Sequence, residues 1–592
     1  MSLLDGDERG GQPAPMHIEW DVPIEMNDGL VLRADVFRPI DGADAPVILA
    51  YGPYAKGLGF EQGYPDAWHA MVKNHPDVTA GSSNRYQAWE VADPEKWVPD
   101  GYACVRVDAR GWGRSPGSID PWSLREARDL HDCIEWAGTQ PWSNGKVGLL
   151  GISYYAINQW HVAALQPPHL AAMIPWEGFA DFYRDMNYHG GIGSDMKRVW
   201  YRRTIETVQH GLGQRGARSL NTGELVAGPE TLTDDELAAN RIDFIGQIIE
   251  HPLDDEFHRE RSARFDEIVT PFLSSGNWGG SSLHLRGNVE GFVRAASEQK
   301  WLEIHGLEHW TEFYTDHGVG LQKRFFDHFL KGIDNGWDQQ PPVMLRVRTV
   351  DGGFVDRAEQ EWPIARTTWT RMYLDLDGEA LTPDPLGAGS SRSFDAMEDD
   401  GITCSTPPLT EQLEITGPVA AKVFVSSSTT DADLFAVLRV FRPDGSEVVY
   451  QGAVDPHTPV GHGWLRASHR ALDEELSTEY RPYHTHDREE PLVPGEVVEL
   501  DVEIWPTSVI VPAGHRIALT IRGKDYSYGN GAKDAGPQLS HFKGSTMRGV
   551  GIYTHEDPAH RPFAIFGGTT TLHAGGPHTS YLLLPVVPAS ED

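Results

Sequence analysis

The stretch from Lys146 to Ala156, KVGLLGISYYA, constrains this chain more than any other. An apolar run, Val147 to Leu150, breaks at Gly151-Ile152-Ser153-Tyr154. A serine placed just past a buried strand, with glycine two residues before it, is the pattern of a tight strand-to-helix turn that exposes a hydroxyl. Ser153 therefore reads as a candidate nucleophile. A serine between small residues can equally be an ordinary turn residue, so the flanking elements carry the argument.

Upstream, Gly101 to Asp108 (GYACVRVD) forms a second apolar strand that runs into the glycine-rich turn Ala109-Arg110-Gly111-Trp112-Gly113-Arg114-Ser115. Between the two strands, Trp122 to Thr139 carries Leu130, Cys133, Ile134 and Ala137 at helical spacing. Strand, helix, strand and serine turn in that order make the core of an α/β-hydrolase. Asn27-Asp28-Gly29 supplies hairpin chemistry between Ile24 to Met26 and Leu30 to Phe37, and Pro46 to Ala50 is a further buried strand. Leu170 to Pro175, Pro271 to Ser275 and Lys300 to His305 extend the sheet, and Gly318 to Gly332 reads as a closing amphipathic helix.

The chain has 592 residues, more than one core can use, and the usual domain size predicts about three or four domains. Residues 17–184 and 265–341 form the hydrolase domain in two parts. Residues 185–264 lose the β pattern and are predicted to be a helical cap, clearest over Leu225 to Ile249. From residue 342 to 592 the segments become short, β-branched and separated by Gly, Pro and Asp turns, among them Val343 to Thr349, Ala420 to Ser426, Phe435 to Phe441 and Arg516 to Ile521. That spacing predicts a β-sandwich of the jelly-roll kind.

Lys and Arg total 50 against 86 Asp and Glu, a formal charge of −36 that repels phosphate backbones and anionic lipid, so neither nucleic acid nor membrane is expected as a partner. The N-terminal MSLLDGDERGGQPAP lacks a basic segment followed by an apolar run, and no apolar run approaches the roughly 20 residues of a membrane span. With Cys104, Cys133 and Cys404 alone, two of them in a buried strand and helix, no disulfide framework is indicated. A soluble cytoplasmic protein is the resulting expectation.

An activated serine needs a base, and the base an orienting acid, in the chain order Ser, Asp or Glu, His. Among 26 histidines, His309 lies in the loop directly after the last strand of the core, where it can reach the serine, whereas the neighbouring His305 still belongs to the strand. Asp108 and Arg110 read as structural. Trp278 and Trp310 either line an apolar pocket beside His309 or pack in the core, as many of the 19 tryptophans must. His484 and His486 lack a matching ligand set and read as a solvated loop, so no metal site is predicted.

Tyr51-Gly52-Pro53-Tyr54-Ala55-Lys56, Asp108-Ala109-Arg110-Gly111-Trp112-Gly113-Arg114-Ser115, the serine turn, His251-Pro252-Leu253-Asp254-Asp255 and the C-terminal β region together resemble the X-prolyl dipeptidyl-peptidase and cocaine esterase family. That family also includes α-amino acid ester hydrolases and glutaryl cephalosporin acylases. The resemblance runs from about residue 17 to the end. It implies that the Tyr54 hydroxyl and the backbone N–H of Tyr154 hold the oxyanion, that no cofactor is needed, and that association into a homo-oligomer through the cap or β domain is common.

Two departures stand out. Ala156 replaces the family's usual glycine. The family's acid follows the strand equivalent to Phe272 to Ser275 in a pattern like Gly-Trp-Tyr-Asp, but here the sequence reads Gly276-Asn277-Trp278-Gly279-Gly280, and the aspartate position is Gly279. Glu177, just past the strand that should lie beside that of Ser153, is the candidate for a moved acid. Glu308 and Glu290 are weaker, the first because adjacent side chains diverge from His309, the second because its helix would have to point it inward. The reading is a serine hydrolase acting on a small-molecule ester or amide, with an esterase or acylase favoured over a dipeptidyl-peptidase because the extra N-terminal domain of those longer chains is missing. An acyltransferase, or a binding protein that has lost its acid, are the rivals.

Overall fold

The computed structural model describes residues 15–40, 42, 44–398, 400–529 and 548–588, so most of the N-terminal stretch read above lies outside the described residues. The hydrolase strands are β1 (His17–Glu25), β2 (Val31–Arg38), β3 (Ala45–Gly52), β4 (Ala103–Asp108), β5 (Ser143–Ile152), β6 (Leu170–Trp176), β7 (Phe272–Asn277), β8 (Lys300–His305), β9 (Val343–Arg348) and β10 (Phe354–Glu359). They form one sheet in the order β1-β2-β4-β3-β5-β6-β7-β8-β9-β10. The pairs from β4 through β3, β5, β6, β7, β8 to β9 are parallel, and the pairs at the two edges are antiparallel.

After β3 the chain steps one way to β4, then returns to place β5 on the other side. The strand order therefore reverses at β3 and β5, and open α/β sheets bind ligands beyond the strand ends at such a point. Val147 to Ile152 is buried throughout, as a parallel strand covered on both faces must be. Helix α1 (Leu124–Gly138) starts where the Ser123 side chain accepts from the Glu126 N–H, and it buries Leu130, Cys133, Ile134 and Ala137. The closing helix, α2 (Asp316–Lys331), is capped by Thr315 and ended by Gly332 in the left-handed region. A Cβ at Gly148 would lie 2.6 Å from the Phe326 ring, so this glycine sets how closely α2 packs on β5.

Two expectations shift. The boundary at residue 342 falls inside the hydrolase sheet, because β9 pairs in parallel with β8. Its β-branched sequence looks like the strands that follow, and only tertiary pairing assigns it. Within the cap, the long helix is α3 (Met196–Val208), whereas 225–233 is irregular and shorter helices occupy Asp234–Ala239 and Phe244–Glu250.

Among the described residues, two short strands of the cap, Tyr188–His189 and Ile192–Gly193, pair with each other, and eleven further strands form the C-terminal jelly-roll β domain. Its sheet closes on itself: Leu413–Ser427 pairs with Val498–Val511 on one side and with Tyr581–Val587 on the other. Alternate residues such as Val423, Val425, Leu434, Leu438, Leu500 and Leu519 fill the interior. Charged side chains tie this domain to the rest. The Arg184 guanidinium donates to the His484 and Thr485 carbonyls of the β domain and to the carboxylates of Asp181 and Asp254. Arg348, on β9, donates to the Ser508 and Val460 carbonyls and to the Thr507 hydroxyl. His484 and His486 are buried at this interface, not solvated, with His486 3.1 Å from His469. Their burial follows from the cap packing over a loop that by composition alone resembles a surface turn.

Arg184→Met removes the cation shared by two carboxylates and two carbonyls, and should destabilise the protein by about 3–5 kcal/mol in denaturant unfolding.

Candidate active site

Ser153 stands at the turn between β5 and helix α4 (Tyr154–Ala163), with φ 57° and ψ −116°. Non-glycine residues avoid such a conformation, which costs on the order of 1–3 kcal/mol and persists where the surroundings over-determine it. Here the Ser153 N–H donates to the carbonyls of Trp176 and Glu177, and the Ile152 N–H to that of Glu90. A Cβ at Gly151 would lie 2.4 Å from the Tyr155 Cβ, so glycine is required two residues before the serine. The Ala156 departure is absorbed across the turn: a Cβ on Gly178 would meet the Ala156 Cβ at 2.7 Å, so a glycine there makes the room.

His309 follows β8, and its backbone N–H donates to the Ala453 carbonyl of the β domain. Its Nδ1 is 2.7 Å from the Glu177 Oε2, and its Nε2 is 3.1 Å from the Glu90 Oε1. Glu177 is fully buried and sits just past β6 with φ 49°, its N–H bonded to the Ser275 carbonyl. Its other oxygen, Oε1, is 3.1 Å from the His305 Nε2 and accepts from the Asn277 side chain. His305 in turn places its Nδ1 2.9 Å from the Glu303 Oε2.

Burial alone would favour the neutral form of each of these groups, but their pairing outweighs it. Against desolvation, His309 and His305 pull Glu177 down to about 2. Glu303 and Glu177 hold His305 up at about 10, and Glu177 with Glu90 holds His309 up at about 10. For Glu90 burial wins, raising its carboxyl to about 7 despite His309. His284, stacked on His309 with ring centroids 5.2 Å apart, is pushed down by burial and then by His309.

The alternative acids point elsewhere. Glu308 accepts from the Thr311 hydroxyl, and Glu290 pairs with Arg481. Asp108 accepts from the Lys56 and Arg114 N–H groups, and Arg110 forms a two-bond pair with Asp129. Gly279 has no room for a side chain: its Cβ would lie 2.3 Å from the Gly452 Cα, and its carbonyl accepts from the Ala453 N–H. The β-domain loop that supports His309 thus occupies the place where an aspartate would project.

Ser153 and His309 line one pocket together with Tyr54, Glu90, Trp89 and Trp200, with a cavity volume of about 70 Å³. Three parts of the chain build it. The hydrolase core supplies the chemistry, α3 of the cap supplies Met196, Val199 and Trp200, and the β domain supplies Val454, Ile552 and Tyr553. The Tyr54 hydroxyl accepts from the Trp200 indole at 3.1 Å, which leaves its own proton to donate. Tyr154 opens α4, so its N–H has no acceptor within the helix, and its hydroxyl is anchored on Glu126 at 2.5 Å. Trp278 and Trp310 are packed in the core, the first with its indole N–H on the Arg346 carbonyl. Sequence reasoning missed Glu90, Trp89 and Trp200, which lie on a loop and a cap helix without a diagnostic spacing. Among the described residues, no three His, Cys, Asp or Glu side chains converge as metal ligands.

Fold and site define an α/β-hydrolase with a composite pocket. The profile of the X-Pro dipeptidyl-peptidase (S15) family matches residues 28–311, and that of the X-Pro dipeptidyl-peptidase C-terminal non-catalytic domain matches residues 335–583. The crystal structure of a CocE/NonD family hydrolase from Staphylococcus aureus is similar at 31% identity and a TM-score of 0.82, over 97% of this chain and 94% of that one. The cocaine esterase of Rhodococcus sp. is 25% identical, over 96% of this chain and 98% of its own. An aminopeptidase from a Thaumarchaeota archaeon shares the fold at 16% identity and a TM-score of 0.66, covering 99% of each chain. The chain belongs to the CocE/NonD family of hydrolases, and it is a serine hydrolase.

Glu177→Gln should lower kcat by at least about a hundredfold with the fold intact by circular dichroism, since an orienting acid fixes the imidazole tautomer. Gly279→Asp, which places a carboxylate where the resemblance implies one, should give no gain in kcat and should cost about 1–3 kcal/mol in thermal or denaturant unfolding by overpacking against Gly452.

Proposed function

We propose that this protein hydrolyses small carboxylic esters, and secondarily amides, through an acyl-enzyme on Ser153. The observation that carries this reading is the 2.7 Å contact between Glu177 and the Nδ1 of His309, in the same pocket as a serine held at φ 57°. A carboxylate on Nδ1 fixes the tautomer that leaves Nε2 to act as base.

His309 takes the Ser153 proton as Oγ attacks the carbonyl, and the oxyanion accepts from the Tyr54 hydroxyl and the Tyr154 N–H. The proton then passes from Nε2 to the leaving alkoxide or amine as its bond to carbon breaks. Water, deprotonated by the same histidine, releases the acid. Every step uses groups of this chain.

Pocket walls of Trp89, Trp200, Val199 and Ile552 favour an apolar acyl or alcohol portion, and the modest volume favours a small molecule over a peptide. The names of relatives, cocaine esterase among them, agree with ester chemistry. Three free buried cysteines, Cys104, Cys133 and Cys404, support a reducing, cytoplasmic setting. Among the described residues no helix is long and apolar enough to cross a membrane.

A fluorophosphonate should label the purified protein on one residue, Ser153, as mapped by mass spectrometry, and Ser153→Ala should abolish both labelling and turnover of p-nitrophenyl esters. Tyr54→Phe should keep labelling at Ser153 but lower kcat about 10²- to 10³-fold, the range for one lost oxyanion donor. Labelling of another serine, or undiminished turnover by Ser153→Ala, would overturn the reading.

A further inference from the structure

His309 is held from both sides, and the mechanism uses only one of them. Glu90 is almost wholly buried, on a loop position with φ 62° whose carbonyl bonds to the Ile152 N–H of the serine's own strand. Its side chain faces the pocket, with Oε1 3.1 Å from the His309 Nε2, the atom that must take the proton of Ser153. The second oxygen, Oε2, is buried.

A contact of this length between Nε2 and a carboxylate oxygen requires one proton on the line between them. Either His309 is an imidazolium facing a carboxylate, or a neutral imidazole accepts from a carboxylic acid. In both cases the Nε2 lone pair is not available to Ser153. Removing that proton leaves a carboxylate facing a lone pair in a buried site, which is costly, so the pair holds the proton more tightly than a lone histidine would.

The groups that face this pair do little to relieve it. Glu177, across the ring, adds a second negative charge. Tyr54, Tyr64, Tyr155, Tyr314 and Tyr553 are neutral phenols whose acidity burial has suppressed. His284 is kept neutral, and beyond Glu177 the His305 imidazolium is already matched by Glu303. Arg203, on the cap wall of the pocket, stacks over the Tyr64 ring with its charge 5.3 Å from the centroid.

We propose that Glu90 is a positioning residue that shares one proton with His309 and keeps the base latent, so that the enzyme arms only as that proton is lost on the alkaline side of neutral. This rests on Ser153 and His309 acting as proposed above. Arming is a simple proton loss to solvent: the N–H or O–H bond between Nε2 and Glu90 breaks, and Nε2 regains its lone pair for the Ser153 hydroxyl. The sign of the pH dependence follows, because a base whose proton is held more tightly needs a higher pH to become competent.

The test is the pH dependence of kcat/KM for an ester and of the rate of fluorophosphonate labelling, in wild type, Glu90→Gln and Glu90→Asp. Wild type should show an acid limb with its midpoint above the ordinary histidine value of about 6.5. Glu90→Gln, which removes the charge and keeps the shape, should lower that midpoint by about one unit or more and raise labelling near pH 6 by about tenfold. Glu90→Asp, which keeps the charge, should leave the limb within about half a unit of wild type. A Gln variant that is slower at every pH with an unmoved limb would show a structural role and overturn the proposal. Should the Gln variant not fold, a wild-type midpoint at or below about 6.5 overturns it by itself. Wild-type protein that neither labels nor turns over at any pH would instead remove the serine-hydrolase roles on which the proposal stands, a result separable from a shifted or unshifted limb.

Discussion

A row of alternating carboxyl and imidazole groups holds this active site together: Glu303, His305, Glu177, His309 and Glu90, each within 3.1 Å of the next. Buried ions are costly unless paired and hydrogen-bonded, and here each histidine lies between two carboxylates while Glu177 lies between two histidines. Glu177 can therefore remain ionised where it is fully buried, and an ionised Glu177 holds the His309 ring. The strands impose this order. β6 delivers Glu177, the adjacent β7 its Ser275 and Asn277 supports, and β8 carries His305 and then the loop of His309.

The same row places a carboxylate on His309 although position 279 is glycine. The β-domain loop at Gly452 and Ala453 packs against Gly279 so closely that no side chain fits, and the Ala453 carbonyl holds the backbone of His309. Glu177 reaches His309 from the neighbouring strand, and the space beside Gly279 is filled by a joint between domains. Val454, Ile552 and Tyr553 reach the pocket from the same domain, so the jelly roll is part of the catalytic enclosure and not an appendage.

Much of this was legible in the sequence because it rests on local patterns. The serine turn, its strand and helix, His309 past β8 and Glu177 past β6 follow from periodicity and chain order. The candidate acid could be placed because parallel strands in this fold sit beside their sequence neighbours. Glu90 was not legible, since it lies in a loop with a left-handed backbone whose course is set by contacts distant in sequence. Trp89 and Trp200 were hidden for the same reason, and Trp278 and Trp310, for which a pocket beside His309 was one of two readings, turn into the core. β9 looked like the β domain because its composition is that of any buried strand. His484 and His486 looked solvated because burial by another domain leaves no local signature.

The most direct measurement is a crystal structure of the protein after reaction with a small fluorophosphonate. The account predicts phosphorus bonded to the Ser153 Oγ, a phosphoryl oxygen within hydrogen-bond reach of both the Tyr54 hydroxyl and the Tyr154 N–H, and His309 still held at Nδ1 by Glu177. An adduct on another residue, or one in which Glu177 has left His309 for a different carboxylate, would contradict it.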